Sequence, residues 1–84
     1  MKTDQQSEED MIAALRENTF ERLMIRRLRS QCYLIITIGD AAHVLCDSNG
    51  VSKQYRHAWQ IREWLQDSFG ILPELVPVES IQQI

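Results

Sequence analysis

The sequence predicts an α+β fold: an N-terminal helix, a three-stranded antiparallel meander, a helix packed on the sheet and a C-terminal edge strand. Three observations carry that prediction. Residues 32–38 are a run of Tyr, Ile, Leu and Thr closed by Gly39-Asp40, which is the composition of a strand entering a turn. Ser48-Asn49-Gly50 supplies residues that adopt positive φ at little cost. Ala58, Ile61, Leu65 and Phe69 then fall on one helical stripe, with Gly70 placed to terminate it.

Taken in order, residues 1–7 are polar and are expected to be disordered, and residues 8–17 to form the first helix. Ser7 and Asp10 stand at capping-box spacing, and Met11, Ile12 and Leu15 share a face. Asn18 and Thr19 end the helix, because Asn tolerates the left-handed conformation. Residues 20–29 fit two patterns. Phe20, Leu23, Met24 and Leu28 keep helical spacing, yet Leu23 and Ile25 also share one strand face, with Met24 and Leu28 on the other. A strand over 22–28 is assigned. Strands over 32–38 and 42–47 follow, then a short extended piece over 51–55, a helix over 57–69 and a strand over 72–78. Pro77 restricts the last strand to an edge, and no element is assigned to 79–84.

With 84 residues the chain has room for one core and is read as a single domain, 1–84. A content of 44% hydrophobic and 25% charged residues is that of an ordinary globular protein. So short a chain buries only about 60–65% of its unfolded surface, so its stability should be a few kcal/mol and a homodimer would help it.

The segment Leu45-Cys46-Asp47-Ser48-Asn49-Gly50, continuing through Lys53-Gln54-Tyr55-Arg56 into Ala58-Trp59-Gln60-Ile61, resembles a family of small bacterial proteins of unassigned function. Members of that family carry a strand ending in Leu-x-Asp-x-x-Gly, a basic and aromatic extended piece, a helix and a closing hydrophobic strand. Leu23-Met24-Ile25 and Cys32-Tyr33-Leu34-Ile35 are similar to its first two strands, which favours a strand over 22–28. The chain departs from the family pattern at Arg56-His57, where a Ser cap is usual, and in lacking Pro after Gly50. The motif consists of turn and core residues, so the resemblance implies architecture and no chemistry.

The net charge of −3 gives no overall attraction to nucleic acid or to an anionic membrane. Its distribution is uneven: residues 1–18 carry two cations against five anions, whereas residues 20–29 carry four arginines against Glu21. The simplest reading lays the acidic segment over the basic one. No apolar leader and no run of 18 apolar residues is present, and two cysteines without an export signal are expected to be thiols. A cytoplasmic protein with no membrane association is expected.

Cys32, His43, Cys46 and His57 are enough ligands in number for zinc, but no C-x-x-C pair occurs, and His43 and Cys46 have opposite parity within one expected strand. No metal site and no cofactor is assigned. A hairpin turning at Gly39-Asp40 draws the Cys32 and Cys46 ends together, but a reducing compartment argues against a disulfide. His57 with Asp47 or Glu63 is the best combination for general-base chemistry, yet nothing marks a nucleophile beside it, and no enzyme activity is expected. Gly39, Gly50 and Gly70 are isolated, so there is no phosphate loop.

The candidate interaction surface is Lys53, Tyr55, Arg56, His57 and Trp59, with Trp59 on the exposed flank of its helix. Arg22 and Arg26 would share one face of their strand, and Arg27 and Arg29 the other. Both faces of strand 32–38 are apolar, so the face away from the second helix needs cover, either from Met11, Ile12 and Leu15 or from another chain. Internal cover is the reading preferred here. The expected function is a non-enzymatic protein-interaction or accessory module, its partner an unknown protein or itself. The alternative is a weak nucleic-acid-binding protein using the basic and aromatic cluster at 53–57.

Overall fold

A computed structural model describes residues 8–80. The expected disorder of residues 1–7, and the Ser7 half of the capping box, lie outside the described residues. Helix α1 spans Glu8–Glu17 and buries Met11, Ala14 and Leu15, while its acidic first turn faces the positive end of the helix dipole. Asn18 takes φ 61. The Thr19 N–H then donates to the Ala14 carbonyl at 3.0 Å, the long-range bond of a Schellman cap.

Strand β1 (Arg22–Leu28) and strand β2 (Gln31–Ile38) form an antiparallel hairpin closed by Arg29-Ser30, with Ile25 opposite Leu34 and Met24 opposite Ile35. Strand β3 (Ala41–Val44) returns along the other edge of β2, with Ile35 opposite Val44. The strand expected over 42–47 therefore ends at Val44. Beyond it Asp47 turns the chain, its carboxylate accepting from the N–H groups of Asn49 (2.8 Å) and Val51 (3.0 Å). The Leu-x-Asp-x-x-Gly motif is thus spent on a buried Leu45, a turn-forming Asp47 and a Gly50 at φ 82.

Residues 51–55 form two isolated bridges, Ser52 with Cys46 beyond the end of β3 and Tyr55 with Cys32 of β2. Tyr55 and Cys32 exchange two backbone hydrogen bonds, which delivers Arg56 and His57 to the β1–β2 turn. Helix α2 (Ala58–Phe69) follows, burying Ala58, Ile61 and Leu65. The Gln60 side chain accepts from the His57 N–H at 3.0 Å, and Gly70 closes the helix at φ 70.

The strand expected over 72–78 is instead a 3-10 turn at Pro73–Leu75 followed by a shorter strand β4, Val78–Ser80. Pro73 sits in the first turn of that 3-10 segment, where its fixed φ and missing N–H suit a helical start better than a strand. β4 runs parallel to β1, so the sheet order is β3-β2-β1-β4, with β4 at an edge as expected. The Arg62 guanidinium holds this C-terminal segment by donating to the Val76 carbonyl at 2.8 and 3.1 Å.

Both helices pack on the same side of the sheet. Met11 and Leu15 of α1 join Ala58, Ile61 and Leu65 of α2 over Leu23, Ile25, Cys32, Leu34 and Ile36 in one cluster. The expected cover of the second face by α1 does not occur. A helix stripe shows which side of the helix is apolar but not which side of a sheet it meets, and the connection through Asn18–Phe20 leads α1 onto the face already occupied by α2.

Candidate functional site

The register places Met24, Tyr33, Ile35, Thr37, Ala42 and Val44 together on the face opposite the helices. Met24, Ile35 and Val44 form one continuous row across three strands. Ile35, at its centre, is only 8% exposed although neither α1 nor α2 lies over it. Arg26 reaches across the same face to Glu79 at 3.0 Å. At the β1 end of the row, Met24 also lines an apolar groove of about 470 Å³ with Phe20, Leu75 and Pro77, and Leu75 is 62% exposed there.

The five expected interaction residues do not form one surface. Lys53 turns toward α1, pairing with Glu8 at 3.2 Å and lying 5.9 Å from the Trp64 ring centre. Tyr55 is half-buried, and burial pushes its phenol above the usual tyrosine value of 10.0 against the opposing effect of Lys53. Arg56, His57 and Trp59 remain exposed. His57 stacks on Trp59 at 6.0 Å with the rings 13° from parallel. The structure adds two residues to this exposed group, since Arg27 and Arg29 line a single concavity of about 310 Å³ with Ser30, Gln31, Arg56 and His57. Strand parity separates Arg27 from Arg22 and Arg26, but nothing in the sequence announces that Tyr55 pairs with Cys32, and that pairing is what brings Arg56 to the turn.

The residues considered for catalysis are dispersed. The Asp47 carboxylate is committed to its own turn, and the near neighbour of His57 is Trp59. Cys32 is buried, with its thiol 4.0 Å from the Arg56 carbonyl and its backbone bridged to Tyr55, and neither Cys32 nor Cys46 is in a disulfide. His43 and Cys46 line one small concavity with Met11 and Ser52, despite their opposite parity. Parity does not apply there because β3 has ended at Val44. Among the described residues no group of three or more His, Cys, Asp and Glu side chains is placed to hold a metal ion. Among the same residues no helix is long and apolar enough to cross a membrane.

Comparisons with protein-family models, curated proteins and solved structures return no match to this chain.

Proposed function

We propose that this chain is a non-enzymatic protein-interaction module whose contact surface is the open face of the sheet and whose partner is a second copy of itself. The observation that carries this reading is the apolar row Met24, Ile35 and Val44, which lies on the side of the sheet that neither helix covers. Charge balance favours a second copy. Arg26 on this face is matched by Glu79 and Arg22 stands at its margin, so stacking two such faces sets apolar row on apolar row without opposing cations at the centre.

Size sets the strength. Strands of seven and eight residues flanked by strands of four and three, about 4.8 Å apart, give a face of at most roughly 19 by 26 Å. Two such faces together bury less than the ~1,200 Å² of a standard interface, so the dimer is weak and concentration-dependent.

Sedimentation velocity from micromolar to millimolar protein tests this. The expected result is a monomer–dimer equilibrium that Val44→Lys shifts to monomer with its thermal midpoint kept. A monomer at every concentration overturns the self-pairing, as does a dimer indifferent to Val44→Lys and Met24→Lys.

A further inference from the structure

At the other side of the molecule, the tip of the β1–β2 hairpin and the start of α2 assemble a concentrated positive charge. Arg27, Arg29 and Arg56 line one concavity, and none of its six lining residues is acidic. Guanidinium groups stay charged at any physiological pH, so this rim is locally cationic whatever the chain's net −3. Helix α2 starts at the same place with no acidic residue in its first turn, so the positive end of its dipole adds to the field. The hairpin tip also places Arg29 at φ 58, a conformation that costs an arginine strain and that glycine would adopt freely.

Next to the arginines stands an aromatic surface that contributes nothing to the core. Trp59 is 58% exposed and stacked on His57, which itself lines the concavity. Arginine forks match the paired oxygens of a phosphate, and an exposed indole offers a flat face to a nucleobase. We propose that this rim binds single-stranded nucleic acid, with successive backbone phosphates contacted by Arg27, Arg29 and Arg56 and an adjacent base stacked on Trp59. A phosphopeptide would use the arginines but leave the indole without a role, and a duplex keeps its base faces stacked inside. The residue set differs from the 53–57 cluster expected from sequence: Lys53 and Tyr55 drop out, and two arginines from β1 and its turn replace them. The site is separate from the sheet face proposed for self-association, so either can fail without the other.

The test is fluorescence anisotropy of labelled single-stranded DNA and RNA oligonucleotides of about 12 nucleotides, a length within the usual range of site sizes, titrated with the full chain. Three phosphate contacts predict a log–log salt slope near −2, or about a 20-fold loss of affinity between about 50 and 200 mM salt. Arg27→Gln and Arg56→Gln each flatten that slope by about 0.7. Trp59→Ala weakens binding about ten-fold and leaves the slope unchanged. Arg22→Gln, which removes the same charge about 17 Å back along β1, changes little and serves as the control. Arg29→Gly weakens binding while keeping or raising the thermal midpoint, which separates loss of the site from loss of the fold.

Four results overturn the proposal: no binding at low salt, an equal loss in Arg22→Gln and Arg27→Gln, binding of duplex with no effect of Trp59→Ala, or arginine-dependent binding of a phosphoserine peptide without binding of either oligonucleotide. A difference between the DNA and RNA arms identifies which polymer the rim prefers.

Discussion

Both faces of strand β2 carry apolar side chains, and they meet different fates. Cys32, Leu34 and Ile36 lie under two helices and are fully enclosed. Tyr33, Ile35 and Thr37 share the other face with Met24, Ala42, Val44, Arg22 and Arg26, and neither α1 nor α2 lies over them. Apolar residues on both faces mark each as needing cover, without saying that both helices go to one of them. The difference comes from the helices, whose combined apolar stripes suffice to cover one side of a four-stranded sheet but not both.

The sharpest test of that difference is a pair of truncations. Ile36→Ala removes a side chain enclosed by both helices and should cost about 2–5 kcal/mol in urea unfolding. Met24→Ala on the open face should cost under about 1 kcal/mol at low protein concentration, because its surroundings are already partly wet. If the two costs converge as concentration rises, the open face becomes buried by association. If they are equal even in dilute solution, the faces do not differ as described.

A medium effect is expected at the junction of α2 with the C-terminal segment. Arg62→Met keeps most of the aliphatic stem but removes the two charged donors to the Val76 carbonyl. The expected loss is about 1.5–3 kcal/mol. Amide exchange should show it as faster opening at Ile25, whose N–H donates to the Pro77 carbonyl, than at the β1–β2 pairs.

The smallest effect concerns the half-buried edge at Tyr55. Burial raises its folded-state pKa above 10.0, so the folded protein favours the neutral phenol. That contribution to stability is complete below the unfolded value and is lost as pH rises through the folded one. Urea midpoints should therefore fall above pH 10.0, and fall less in Tyr55→Phe. Equal alkaline losses in both proteins would remove Tyr55 as the cause.

What the sequence made legible was mostly local. Helix α1 with its Asn18 stop, strand β2, and helix α2 with Gly70 each follow from periodicity and terminators within a dozen residues, whereas residues 20–29 fit helix and strand spacing alike and periodicity does not decide β1. The segment after Gly70 was misread because Ile71, Leu72, Leu75, Val76 and Val78 have strand composition, while Pro73 and the Arg62 clamp on Val76 decide its path. The side taken by α1 was not legible at all, since its stripe would suit either sheet face. The candidate rim was half legible: parity separates Arg27 from Arg22, and Arg56, His57 and Trp59 stand among the expected interaction residues. Joining the halves needs the Cys32–Tyr55 pairing, which links positions far apart in sequence and leaves no local signature.

The parallel pairing of β4 with β1 also bears on how the protein is made. Arg26 and Glu79 are 53 residues apart in the chain, whereas β1, β2 and β3 follow one another through short turns. As the polypeptide is synthesised, the meander can therefore form while one flank of β1 still has no neighbour, and Ile25 stays unbonded there until Pro77 arrives. An apolar strand in that condition invites pairing with another nascent chain. Arg26 and Arg27, side by side on opposite faces of the bare strand, place a cation on each side of it and discourage such pairing until the last strand closes the edge.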